Sequence, residues 1–557
     1  MKKVSFALVL SAAVIGVVRA DDDQSRGFEF KPDTLVLSRS VYMGTPSLLV
    51  PGVTLLPPGC VAGTVNVQLI AGGTTPVAVT CATPVADGTF PTVFNNAAAD
   101  AHFGITSPIF LDNLTTDGRL VDTLAVPTDQ IVTSFSSKSE LAVNLSVDGK
   151  SVTFMGYRGG PGFPTAVNVF DVSNGNTPGV VDPTNASVEQ YFRSVAEVDS
   201  HGHLMVTEGN AYSGDNGRAA IKGAGLYYTV GNDNSGNLSK KQTTTTIIGE
   251  ELVNSTGAEL LVPGQAAPVP PNINKIGDFE INQVTEPSTG VPFALDKAGK
   301  DDNFRGLTIF NNTLYVTKGS GSNGINTVYQ VGGPGVLPSG STQALAAVPI
   351  TILPGFPHTL ASGVSSTGAA TPVAFPFGIW FADENTLYVC DEGDGTLVTP
   401  AVNGNVADAA TIATAGVQKW RLVNGTWQMQ YVLQNGLNIG VPYSVPNYPA
   451  AFDPATDGCR NITGHVGRDG IVSIYAVTST VSTSGDQGAD PNRLVKVMDR
   501  LDATTLPTGN SDDHNGGNGH QHSLGHFETI RSAKAGEVFR GVALAPQDGD
   551  DHDEGHR

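Results

Sequence analysis

One short pattern recurs along this chain, and it limits the possible folds more than any other feature. Phe304-Arg305-Gly306-Leu307-Thr308-Ile309-Phe310 is followed by Asn311-Asn312 and then by Thr313-Leu314-Tyr315-Val316-Thr317-Lys318-Gly319. Phe377-Gly378-Ile379-Trp380-Phe381, a turn, and Thr386-Leu387-Tyr388-Val389-Cys390-Asp391-Glu392-Gly393 repeat it. So do Phe192-Arg193-Ser194-Val195-Ala196-Glu197-Val198, a turn, and His203-Leu204-Met205-Val206-Thr207-Glu208-Gly209. Each copy reads as a short apolar strand, a tight polar turn, a second β-rich strand and a glycine-rich loop. A lone hairpin is at best marginally stable in water, so a recurring one implies that neighbouring copies bury each other. Composition agrees: with 66 Gly, 35 Pro and only 15% charged residues, the chain cannot be mostly helix, while 40% hydrophobic content excludes wholesale disorder.

The hairpins continue into further strands. The Phe304 unit extends through 327–331 and 350–353, the Phe377 unit through 417–422 and 427–433, and the Phe192 unit through 225–230 and 243–248. Two more units fit, one from Glu140 through 151–157 and 166–172, the other from Arg460 through 471–478 and 493–499. The chain ends supply a sixth: 539–545 is a first strand with nothing after it, and 33–39 is a second strand with nothing before it, followed by 108–112 and 119–126. With that arrangement the chain resembles the six-bladed β-propeller superfamily over essentially the whole of residues 21–557. The resemblance implies an all-β fold whose last blade is closed by the N- and C-terminal strands. Each blade would then be buried on both faces, which accounts for mixed Val/Ile/Leu/Phe/Tyr runs in place of strict alternation. No WD or kelch signature is present. A pair of β-sandwiches is the alternative fold, and it does not explain an orphan strand at each terminus.

Lys2 and Lys3, an apolar run from Val4 to Val18, and Val18-Arg19-Ala20 read as a secretory leader over residues 1–20, cleaved after Ala20. Loss of Lys2, Lys3 and Arg19 would take the formal charge from −21 to −24. Such a chain repels nucleic acid at long range, and no later run is long enough to span a membrane. An acidic, secreted, extracellular monomer is the expectation. Its four cysteines allow three pairings, and the favoured one joins Cys60 to Cys81 and Cys390 to Cys459. Sequons stand at Asn113, Asn144, Asn185, Asn237, Asn254, Asn311, Asn424 and Asn461, at a frequency close to chance for this Asn and Ser/Thr content. Outside the blades lie a disulfide-bearing insertion at 42–107, a proline-rich long loop at 251–303, a His/Gly-rich segment at 509–526 that reads as disordered, and an acidic tail at 547–557.

The resemblance also places function. In a propeller the loops leading into innermost strands and those joining second to third strands share one face, around the channel mouth. Arg193, Arg305, Arg460 and Arg540 would each open an innermost strand there, a ring able to grip a carboxylate, phosphate or sulfate. The plainer reading is that each pairs with an acidic neighbour in the next blade. The loops on that face carry Glu208, Asp215, Asp391, Glu392, Asp394, Asp486 and Asp490, oxygen ligands suited to Ca²⁺ or else ordinary turn residues. Three functions stay open: a binder of a small anionic or polyhydroxylated ligand such as a glycan, a Ca²⁺-dependent phosphoester or lactone hydrolase, and a cell-surface scaffold contacting an extracellular protein through 42–107.

Other motifs lack their context. Gly319-Ser320-Gly321-Ser322-Asn323-Gly324 fits G-x-G-x-x-G but precedes a strand. His201 and His203 fall on the face opposite the arginines. His514, His520, His522, His526, His552 and His556 cluster late in the chain, where a solvated tail with weak metal affinity is the simpler reading.

Overall fold

The computed structural model describes residues 27–42, 106–135, 140–159, 191–213, 216–232, 257–268, 302–319, 324–358, 374–395, 413–483, 488–507 and 521–548, with a few shorter pieces. Six small antiparallel sheets form a six-bladed β-propeller. The first blade runs, inside to outside, Glu537–Leu544, Leu35–Val41, Ile109–Leu114 and Leu120–Ala125, so both chain ends share one sheet as expected. The fourth is Leu307–Phe310, Thr313–Lys318, Thr327–Val331 and Ile350–Ile352. The fifth is Pro376–Asp383, Thr386–Asp391, Gly416–Val423 and Thr426–Leu433. The sixth is Ala455–Val466, Ile471–Val481, Arg493–Arg500 and Glu528–Ser532. Turns between strands are of the tight kind that the right-handed twist favours, with Asn311-Asn312 at φ 46° and 56° and Asn424-Gly425 at 52° and 79°.

The second and third blades differ from the expectation. Arg193–Asp199 pairs along its whole length with Ser151–Arg158, and Leu204–Gly209 lies beyond it. The Phe192 hairpin is therefore the outer half of the second blade, whose innermost position is held by Asn144–Leu145, with Ile131–Ser134 pairing at the other end of Ser151–Arg158. The third blade begins at Gly217–Gly223 and continues through Leu226–Gly231 to Ala258–Leu261, so a strand lies inside the expected long loop of 251–303. The reason is chemical degeneracy: an inner and an outer hairpin share the same apolar-turn-apolar pattern, and only pairing across the gap separates them. The expected strands at 166–172 and 243–248 lie outside the described residues. The 509–526 segment contributes a short antiparallel pair, Asn510–Asp512 with Gln521–Ser523.

Innermost strands touch in ring order from the first blade to the sixth and back to the first. Their approach requires small residues at one level: Ala142, Ala219, Gly306, Gly378 and Gly541, with Asn461 in the sixth blade. A Cβ on Gly306 would sit 2.1 Å from Phe377 O, and one on Gly541 2.3 Å from Val143 N. Asn461 is accommodated because its Oδ1 accepts from Val542 N at 2.6 Å.

Blades are also stapled through their second strands. Thr317 Oγ1 donates to Phe377 O in the next blade and accepts from Gly306 N at 2.9 Å. Ser38 Oγ donates to Leu141 O at 2.6 Å, linking the first blade to the second. Thr-Leu-Tyr-Val-Thr317 aligns with Thr-Leu-Tyr-Val-Cys390, and Cys390 forms the expected disulfide with Cys459 of the sixth blade, Cα atoms 5.3 Å apart. A covalent bond thus stands where the preceding blade uses a hydroxyl. Cys60 and Cys81 lie outside the described residues. Thr317→Val should destabilise the protein by about 1–3 kcal/mol in denaturant titration, because a buried carbonyl loses its donor; an unchanged midpoint would show that the bond contributes nothing.

Candidate functional site

The level just above the small-residue ring is where the arginines stand, and the structure puts Arg218 in the third-blade position expected for Arg193. Arg218, Arg305, Arg460 and Arg540 each precede the small or Asn residue of an innermost strand, and all four are buried. Leu141 and Phe377 take the same position in the second and fifth blades. Arg193 opens a third strand instead, buried against the Tyr157 ring, with Nη1 donating to Tyr191 O at 3.2 Å.

Most of these guanidinium groups bond across a blade boundary. Arg460 Nε donates to Glu392 Oε2 at 3.0 Å, an ion pair between the sixth and fifth blades with side chains 5% and 4% exposed. Arg540 Nη2 donates to Phe135 O and, at 2.8 Å, to Gly488 O, while Nε reaches Ser40 Oγ at 3.2 Å. Arg218 Nη1 donates to Asn303 Oδ1 and, at 3.2 Å, to Phe304 O at the start of the fourth blade. Arg460 thus pairs with an acidic neighbour of the adjacent blade, as the plainer expectation has it, while Arg218 and Arg540 bridge blades through amide and carbonyl oxygens. At Glu140 the polarity is reversed: its carboxylate accepts from Thr133 Oγ1, Ser134 N, Tyr157 OH and Asn216 Nδ2.

Below the struts the axis is nearly shut. The gap lined by Ala142, Ala219, Gly306, Gly378 and Asn461 leaves ≈ 10 Å³ for the centre of a water molecule, the least that one water needs.

The acidic residues of that face are likewise engaged by protein donors. Asp391 accepts from Phe375 N at 2.9 Å, Gly393 N at 3.0 Å and Gln418 Nε2 at 3.0 Å. Asp490 accepts from Tyr448 OH at 2.7 Å and Ser482 Oγ at 2.9 Å. Glu208 takes Arg158 Nε at 2.9 Å, an ion pair with both side chains 28% exposed, and Asp394 is exposed. Asp215 and Asp486 lie outside the described residues. Among the described residues no three His, Cys, Asp or Glu side chains converge as a metal ligand set.

A carboxyl not singled out from the sequence lies at the same junction. Asp457 is buried at the start of the sixth blade; its Oδ2 accepts from Gly395 N at 2.9 Å, and among the described residues its Oδ1 has no hydrogen-bond partner. Burial, helped by the nearby Asp394 and Glu392, pushes its carboxyl up to about 7 against the Gly395 N–H hydrogen bond and the weaker pull of Arg460. Burial also pushes Asp391 up to about 6. Gly393 closes the junction: it has φ 81°, and a Cβ there would meet the Asp457 carboxyl at 2.3 Å.

Asn311 and Asn424 are exposed in hairpin turns. Asn113 and Asn461 are buried and hydrogen-bonded, so a glycan on either would displace core bonds, and Asn144 donates to Ala220 O at 3.0 Å. Asn185, Asn237 and Asn254 lie outside the described residues. Among the described residues no helix is long and apolar enough to cross a membrane.

The sequence matches no family model and no curated protein. Similar solved structures include the parainfluenza virus 5 hemagglutinin-neuraminidase ectodomain, at 9% identity and TM-score 0.28 over 79% of this chain and 77% of that one. Another is an apocarotenoid oxygenase of Synechocystis, at 8% identity and TM-score 0.21 over 72% of this chain and 55% of that one. Likenesses this distant carry no argument about chemistry.

Proposed function

We propose that the protein is a secreted propeller whose arginine-side face binds an extracellular anionic or polyhydroxylated ligand such as a glycan. The observation that supports this reading is the contrast between floor and rim. The floor holds buried arginines, three of them bonded across blade boundaries, and the rim above it keeps accessible charged groups, Arg158 with Glu208 and the exposed Asp394. Rigid scaffolds that present polar loops are the usual setting for recognition. The leader at 1–20 and the Cys390–Cys459 disulfide support an oxidising, extracellular destination.

A screen of glycans and small organic anions by thermal shift, followed by titration of any hit, tests this reading. Arg158→Gln should weaken an anionic hit, and Asp394→Asn a polyhydroxylated one, by about 3- to 10-fold, while His203→Gln on the opposite face leaves either unchanged. The opposite ranking would place the binding surface elsewhere and end the proposal.

A further inference from the structure

Arg493 differs from every arginine of the floor. It opens the third strand of the sixth blade, on the arginine side, with its backbone N–H donated to Thr478 Oγ1 at 3.0 Å and Ser532 opposite in register. Its guanidinium carbon lies 3.5 Å from the centre of the Tyr443 ring. That ring is held in place, since Tyr443 OH donates to Pro491 O at 2.8 Å and Tyr443 N donates to Pro454 O at 3.0 Å. Among the described residues the Arg493 guanidinium makes no hydrogen bond or ion pair, and the side chain is partly open to solvent. The neighbouring carboxylate Asp490 faces Tyr448 and Ser482 instead. Lys534, exposed two residues beyond Ser532, adds a second positive charge at the same end of the blade.

A guanidinium stacked on an aromatic ring has its rotamer fixed while its in-plane N–H fork stays available. That fork matches two oxygens of one oxyanion, and stacking removes part of the entropy otherwise lost on binding. We propose that Arg493, laid flat on Tyr443, is an oxyanion subsite of the sixth blade that grips a carboxylate, sulfate or phosphate group of the ligand. This assignment rests on the reading of the arginine-side face as a binding surface and names the chemical group that the surface takes.

Calorimetric titration of the full secreted chain with sodium sulfate, inorganic phosphate and acetate tests it, the three probes separating the possible sources of the oxyanion. Binding of at least one is expected, with Arg493→Gln weakening it about 10-fold or more. Arg493→Lys should weaken it less, because it keeps the charge and loses the fork. Tyr443→Leu should weaken it as well, by freeing the guanidinium. The anion-free thermal midpoint of Arg493→Gln should fall only slightly, because the variant loses the stacking on Tyr443 but no hydrogen bond or ion pair of the guanidinium among the described residues. Absence of binding by the parent at tens of millimolar anion, on the order of the weakest useful affinity, overturns the subsite. So does equal binding by parent and Arg493→Gln. An organic anion that still depends on Arg158, or a glycan that still depends on Asp394, but ignores Arg493→Gln overturns the subsite alone and leaves the face reading intact.

Discussion

Replacing Cys390 and Cys459 together by serine should lower the free energy of unfolding by about 4 kcal/mol, the entropy expected for a crosslink that closes 69 residues in the unfolded chain. Both cysteines are fully buried at the boundary of the fifth and sixth blades, so the variant also leaves two hydroxyls in an apolar cluster that includes Tyr388, Val417 and Ile474. Alignment of Cys390 with Thr317 supplies a control. Cys390→Thr with Cys459→Ala should recover about 1 kcal/mol, because a threonine there can donate to the next blade as Thr317 does. Denaturant titration under oxidising and reducing conditions reads both numbers. A parent protein with the same midpoint with and without reductant, its disulfide verified broken, would show that the staple does not hold the ring.

The second large effect is on pH. Asp391 and Asp457 are pushed up to about 6 and about 7 by burial, against ordinary values near 3.8. Below about pH 4 both carboxyls are protonated in the folded and unfolded chain alike. Between pH 4 and 7 the unfolded chain releases these protons while the folded chain keeps them. The unfolded state then binds fewer protons, so stability falls as pH rises through that window. Unfolding free energy should be greater at pH 5 than at pH 8, with a contribution from the two groups on the order of 3 kcal/mol. Asp457→Asn keeps the shape and cannot ionise. It should flatten more than half of this slope and be more stable than the parent above pH 7. A parent profile that rises from pH 5 to 8, or an Asp457→Asn profile that overlays it, would refute the assignment.

Much of the fold was legible because a propeller writes its unit several times. The Thr-Leu-Tyr-Val register at 313–316 and 386–389 placed the fourth and fifth blades strand by strand, and the unmatched strands at 33–39 and 539–545 correctly joined the chain ends. The second and third blades were not legible to the same degree, because Phe192–Val198 looks like an inner strand until Ser151–Arg158 is seen paired to it. Arg218 could have been found, since Gly217-Arg218-Ala219 carries the same arginine-then-small step as Arg305-Gly306 and Arg540-Gly541. Tyr443 and Arg493, 50 positions apart in number, leave no such trace.

By itself the sequence determined the all-β class, the blade count, the favoured Cys390–Cys459 pairing and the level at which arginines gather. Those follow from local composition and from repetition, and both survive in one dimension. Only the tertiary structure decided what each charge does. Among the described residues Arg460 meets Glu392, Arg540 meets two carbonyls, Asp457 keeps an oxygen without a hydrogen-bond partner, and Arg493 lies on a ring with no hydrogen bond from its fork. A charged side chain becomes a strut or a recognition group according to whether a partner from another blade arrives within hydrogen-bond distance. That distance is set by long-range packing, which no local pattern in the chain encodes.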